Sequence, residues 1–402
     1  MNSVKGPQRW VAGVLLLVLA GIFVWLGNRP RPAAPEPSVP DQSGLATDTT
    51  GNSGPESEDP DLALALPARM EPVSALLPEP RPELVFDFPT RNRTLLSGEP
   101  AKFFMFVDRY SPEGQLQVWQ GGSYGFVRNP RQTAEGTIYT KFHEGIDIAP
   151  LSRDGNGEPQ DVVQAISDGT VAYVTASPKA SNYGNYVVVL HPMGSAGVFY
   201  SLYAHLRSIS VVAGTRVRRG HELGMLGYTG AGIDRRRAHL HLEGGLILSE
   251  NFDAYYNKTS GLAGGHGNFH GSNLIGMNMA AFFEACQKDP AIMPDQFIRS
   301  QEVYYKVTVP SRGHEIELTS RYPWLRQGGA PGASWEISFT GPGVPVSITP
   351  AARVVPFPTV SWVKPFSGYH SWNTRSLLGG SGTTATLTKE GNRFLMLMTG
   401  DF

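Results

Sequence analysis

The chain has 402 residues, with 34 Lys and Arg against 35 Asp and Glu for a formal charge of -1. So balanced a chain lacks the positive field that polyanion binding draws on, which argues against nucleic acid as a partner, while 41% hydrophobic residues suffice for two or three domain cores. With 46 glycines, 32 prolines and 17% charged residues a long-helix architecture is excluded, and the single cysteine, Cys286, excludes an intramolecular disulfide and any cysteine-cluster metal site.

Trp10 to Gly27 carry no charge across 18 residues, which at about 1.5 Å per residue nearly crosses a hydrocarbon core of about 30 Å. Lys5 and Arg9 ahead of the run favour an internal N-terminus, Arg29 and Arg31 behind it weaken that bias, and the run exceeds an ordinary signal-peptide core. The expectation is one N-terminal transmembrane helix within residues 1–28, uncleaved, with the rest of the chain on the extracytoplasmic side. Residues 29–90 hold 13 of the 32 prolines and an acidic stretch (Glu56, Glu58, Asp59, Asp61), so residues 29–82 read as an extended tether.

From Glu83 onward short β-like runs alternate with turn residues, at 103–107, 161–166, 170–175, 185–190, 198–206 and 239–247. They predict a mainly β domain over 83–289, with Ser167-Asp168-Gly169 as a hairpin turn. Met277 to Gln287 has the apolar spacing of a helix and stops before Asp289-Pro290, the one clear helix after the membrane segment. Residues 290–402, with runs such as WEISF, VPVSI and FLMLM between Gly/Pro turns, predict a smaller C-terminal β domain, sandwich or barrel.

Three short segments concentrate the chemistry. In His143-Glu144-Gly145-Ile146-Asp147, extended backbone puts His143 and Asp147 on one side with Gly145 leaving that side clear. In His239-Leu240-His241-Leu242-Glu243 the two histidines and the glutamate share a face while the leucines turn into a core. Tyr203-Ala204-His205-Leu206 adds a histidine at the end of an apolar strand. A catalytic zinc site needs three protein ligands and an open position, which His143, Asp147 and one of the later histidines satisfy. The histidines left over would then move protons near the metal, the outline of amide hydrolysis.

With these segments in view the chain resembles the lysostaphin/LytM-type zinc metallopeptidases, which cleave peptidoglycan peptides. The motifs follow the family's order over roughly 120–250: Tyr124-Gly125-x-x-Arg128, His143-x-Gly145-x-Asp147, Asp168-Gly169-Thr170-Val171, Tyr183-Gly184-Asn185-Tyr186-Val187, Tyr203-Ala204-His205-Leu206, the glycine-rich stretch Gly214 to Gly230, and His239-x-His241. The resemblance implies an antiparallel β-sheet domain in which His143, Asp147 and His241 bind zinc and His205 and His239 are the catalytic histidines. It sets Glu243 where the family usually has an acid, either orienting a histidine or making a surface salt bridge. Two departures stand out: a polar insertion, Leu151 to Gln160, and Arg235-Arg236-Arg237 ahead of the His-x-His pair, which would either grip substrate carboxylates or form a solvated loop. His266 and His270, set among glycines, read as part of a mobile surface loop rather than a second metal site.

The expectation is a membrane-anchored zinc endopeptidase acting on peptidoglycan stem peptides or cross-links, with the C-terminal β domain as a contact for substrate or for another cell-envelope protein. The alternatives are a non-catalytic LytM-like factor that activates a separate cell-wall hydrolase, and an enzyme of the same chemistry acting on a Gly-rich protein or peptide.

Overall fold

The longest apolar runs form the middle of a seven-stranded antiparallel sheet. Its strands are β1 (Ile146–Ile148), β2 (Gly169–Thr175), β3 (Tyr186–Pro192), β4 (Val198–Ala204), β5 (Arg216–Val217), β6 (Leu240–Ile247) and β7 (Leu274–Gly276). They lie in the order β5-β2-β3-β4-β6-β7, with β1 also paired to β6. The structure, a computed structural model, describes residues 84–402 except 112–113, 126–129, 134–135, 140–141, 180 and 263–264. The apolar run 10–27, the tether 29–82 and Arg128 lie outside the described residues; among those described, no helix is long and apolar enough to cross a membrane.

β3 and β4 are apolar at nearly every position because both faces of the sheet are covered. Successive side chains point to opposite faces, so Tyr186, Val188 and Leu190 join Tyr200, Leu202 and Phe269 in one core, and Val187 and Val189 join Phe199 and Phe282 in the other. Each such side chain contributes about 1.5–3 kcal/mol on burial. The helix Met279–Lys288 covers the second face: Asn278 caps it by accepting from Ala281 N at 3.2 Å, and Phe282 and Phe283 pack against Phe86 and Phe88.

Several expectations are corrected. Ser167 to Gly169 is no hairpin turn: the strand before it, Val162–Gln164, pairs with Glu222–Met225 in a separate three-stranded sheet, whereas β2 pairs with β3. Residues 103–107 are not a strand, since Pro100–Phe103 forms one helical turn and the strand begins at Val107. Phe103, Phe104 and Met105 are apolar because all three are buried, a pattern that does not separate strand from helix. Helices also form at Phe252–Ser260 and Lys389–Thr399, so the one at 279–288 is not alone. The FLMLM run lies in the last of these, with Thr388 accepting from Gly391 N at its start and Gly400 left-handed at its end.

Among the described C-terminal residues the main sheet has four antiparallel strands rather than two packed sheets. These are β8 (Tyr305–Pro310), β9 (Ser334–Phe339), β10 (Pro345–Ala351) and β11 (Thr359–Val363), in the order β10-β9-β8-β11. This region shares one continuous core with the sheet described first. Ile247 N donates to the Tyr322 hydroxyl at 2.8 Å, and the buried Arg321 donates to the carbonyls of Ile247 and Leu248 and to Glu317 Oε1. Gly197, at φ +89°, accepts no other residue here, because a Cβ would lie 1.9 Å from Arg321 O.

Candidate metal centre and active site

The antiparallel ladder of β1 and β6 sets Asp147 directly opposite His241, and on the other edge of β6 the partner of His241 is Ala204. The residue after Ala204 is His205, which therefore leaves the end of β4 beside the same point. It does so at φ +62°, a conformation a non-glycine residue holds at a cost of about 1–3 kcal/mol. Two backbone bonds impose it, His205 N to Tyr183 O at 2.9 Å and Leu206 N to Asn185 O at 3.0 Å. Gly145 serves packing more than openness: a Cβ there would meet Leu242 O at 2.4 Å and His241 Cε1 at 3.0 Å, so only glycine lets this segment lie against β6.

The five residues expected to form the site come together, and all are buried. Asp147 Oδ1 lies 2.9 Å from His143 Nε2 and 2.9 Å from His241 Nδ1, and the two ring nitrogens are 3.2 Å apart. His239 Nε2 is 3.4 Å from the same oxygen, and the His205 ring centroid is 4.8 Å from that of His239. Each ring is oriented through its other nitrogen, which donates to a group that can only accept. His143 Nδ1 donates to Ser123 O at 2.9 Å, His205 Nδ1 to Thr229 O at 2.8 Å, His239 Nδ1 to Arg237 O at 2.6 Å and His241 Nε2 to Glu243 Oε1 at 3.0 Å.

These contacts test the site for a cation. With those protons committed outward, His143 Nε2, His241 Nδ1 and Asp147 Oδ1 turn lone pairs on one another, and their ligand atoms lie within 4.8 Å as a group that could hold a metal ion. The protein alone meets this shortage of positive charge by taking up a proton. Burial would lower His241, but hydrogen bonds to Asp147 and Glu243 raise it to about 10. A divalent ion satisfies the three lone pairs at once, so the donor set fits one. His205 shifts the other way: burial first, then the neighbouring His239 and His241, hold it well below the usual histidine value, so its ring is neutral at pH 7.

Glu243 is no surface residue. Its buried carboxylate accepts from His241, from the Tyr183 hydroxyl at 2.6 Å and from the Tyr200 hydroxyl at 3.1 Å. Burial would raise its pKa, but those three donors more than offset the effect and keep it below the usual glutamate value. Sequence reasoning missed both tyrosines as site residues. Tyr183 lies in a loop 60 residues from Glu243 and Tyr200 on the neighbouring strand, and no local spacing ties either to it.

The three arginines, Arg235 to Arg237, form one 3-10 turn and are engaged with the protein. Arg235 Nη1 pairs with Glu158 at 3.5 Å, Arg236 makes a two-pronged pair with Asp108, and Arg237 Nε donates to Phe106 O at 3.3 Å. The inserted loop is fastened to the same turn, since Arg153 donates to the carbonyls of Gly157, Arg235, Arg236 and Ala238. The His266 and His270 loop is packed rather than free: His266 Nδ1 lies 2.8 Å from the Tyr173 hydroxyl, and His270 stacks on Phe252.

Residues 141–246 match the profile of Peptidase family M23. No curated protein matches the chain. Among solved structures it is similar to a zinc-containing peptidase from Vibrio cholerae, at 23% identity over 36% of this chain and 36% of that one with a TM-score of 0.21. It is also similar to the catalytic domain of the antimicrobial peptidase lysostaphin from Staphylococcus simulans, at 24% identity over 34% of this chain and 86% of that one with a TM-score of 0.22. A chain of the SpoIIIAH–SpoIIQ complex is similar at 20% identity, over 40% of this chain and 90% of that one, with a TM-score of 0.24. The chain thus spans about a third of the length of the Vibrio cholerae peptidase.

Proposed function

We propose that this chain, whose residues 141–246 are a peptidase family M23 domain, is a zinc-dependent endopeptidase that hydrolyses peptide bonds in peptidoglycan stem peptides or cross-links. One observation carries the reading: four histidines each have one ring nitrogen tied outward and the other turned toward Asp147 or its immediate surroundings. His143 Nε2, Asp147 Oδ1 and His241 Nδ1 would hold the zinc. When bound, it supplies Lewis-acid polarisation of the scissile carbonyl and activation of water.

The remaining work falls to this chain's own side chains. His205, neutral through burial and fixed by Thr229 O, accepts a proton as water attacks the amide. His239, fixed by Arg237 O, donates to the developing oxyanion and to the leaving amine. Tyr183 and Tyr200 hold Glu243, and Glu243 holds the His241 ring. The uncharged run Trp10 to Gly27 and the proline-rich residues after it support an anchored enzyme whose catalytic domain works outside the cytoplasmic membrane.

The test is zinc content of the full chain in detergent, together with muropeptide release from purified sacculi by the wild type and by His239→Ala. One zinc per chain, with release that His239→Ala abolishes, is the expected result. Neither zinc nor release would overturn the enzyme in favour of a non-catalytic activator of another hydrolase. Zinc without release would overturn peptidoglycan as the substrate.

A further inference from the structure

Beside the metal centre the C-terminal region presents a cation with unspent hydrogen-bonding capacity. Arg375 extends along the ring of Phe142, its guanidinium carbon 5.6 Å from the ring centroid, and Nη2 stands 4.0 Å from Oε1 of Glu144, the residue next to His143. That separation is an ion pair but too long for a hydrogen bond. Among the described residues no group accepts a hydrogen bond from the guanidinium, which carries five N–H donors. Its side chain is 22% exposed and that of Glu144 is 39% exposed, so the pair opens to solvent while resting on the protein.

The loop behind Arg375 is rigid and strained. Arg375 and Ser376 adopt φ +53° and +62° in succession, although neither is glycine. Thr374 pins the turn by donating to His370 O at 2.8 Å and accepting from Leu378 N at 3.1 Å, and Thr388 donates to Ser376 O at 2.7 Å. Consecutive left-handed residues persist only where the surroundings over-determine them, and such positions cluster at ligand-binding sites.

The position borders the site on its Glu243 side. The main chain of Glu144 lies against Gly276, where a Cβ would sit 2.3 Å from Glu144 O and 3.8 Å from the Tyr200 hydroxyl, and Tyr200 donates to Glu243.

From the preorganised loop, the unspent donors and the place beside His143 we infer that Arg375 receives a free carboxylate of the substrate, selecting acidic peptides. The inference rests on the endopeptidase reading above. A guanidinium fork matches a carboxylate with two parallel bonds, and Glu144, sharing the same cation, opposes a second negative charge there.

The experiment compares soluble cross-linked muropeptides carrying free carboxylates with the same muropeptides after chemical amidation. The enzymes are the wild-type full chain, Arg375→Ala, Arg375→Lys and Glu144→Gln, each checked for zinc content and thermal midpoint. Arg375→Ala is expected to raise KM on the free acids by about ten- to hundred-fold with kcat little changed, and to add nothing on the amidated substrate. Arg375→Lys is expected to recover part of the loss, and Glu144→Gln to lower KM on the free acids. Equal effects of Arg375→Ala on both substrates, or parallel rises in KM for Arg375→Ala and Glu144→Gln, would mean the pair is only a clamp and would overturn the inference. A wild type that cleaves neither substrate overturns the endopeptidase reading itself, and this inference with it.

Discussion

Glu243 Oε1 accepts from Nε2 of His241 at 3.0 Å, and this one contact decides which nitrogen of that ring faces Asp147. Without it the ring is free to take the other tautomer and present a proton where a lone pair is required. Glu243→Gln keeps the shape but loses the charge, so zinc affinity is expected to fall about tenfold, and about a hundredfold for Glu243→Ala. Competition against a chelator of known affinity measures both. Unaltered affinity in the alanine variant would remove Glu243 from the metal centre.

Arg321 is a buried fastening between the C-terminal region and the central sheet, and its removal takes a donor from the carbonyls of Ile247 and Leu248 and from Glu317, which still accepts from Ser249 Oγ and Glu250 N. Arg321→Ala is expected to lower stability by about 1–3 kcal/mol. Urea unfolding gives the number, and a change below about 1 kcal/mol would show that the junction does not depend on this residue.

Acid stability turns on a histidine outside the site. His191 is fully buried, with Nδ1 donating to Asp168 O at 2.7 Å and Nε2 2.7 Å from the Ser201 hydroxyl. Burial holds its pKa down to about 4. In the unfolded chain a histidine takes its proton near pH 6.5, so between about 6.5 and 4 the unfolded state binds more protons than the folded one. Stability is therefore expected to fall as pH drops through that window, by about 3 kcal/mol from this residue, and to level off below it. Melting curves from pH 7.5 to 4 should show the decline, with a shallower slope for His191→Gln. A slope unchanged by that substitution would assign the effect elsewhere.

The shared face of His241 and Glu243 was legible because both lie on the strand Leu240–Ile247, where alternation sets the face, whereas His143 stands before the strand Ile146–Ile148 that carries Asp147 and is brought beside it by the bend at Gly145. What joins the fragments was not legible. The carbonyls of Ser123 and Thr229 reach their histidines from 20 and 24 residues away, and Arg375 reaches Glu144 from a region whose sequence carries no motif. The misread FLMLM run shows a different limit. Its apolar residues have no clear period, while the signals that define the helix are the caps at Thr388 and Gly400, outside the run.

Three of the four rings are oriented by main-chain oxygens, those of Ser123, Thr229 and Arg237. A carbonyl oxygen is present whatever side chain occupies the position. Those loops are therefore free to change sequence over evolutionary time, so long as their backbone path is kept, without disturbing the geometry of the centre. At His241 orientation depends on side-chain identity, so Glu243 is a point at which a single codon change could disable the site without touching a proposed ligand.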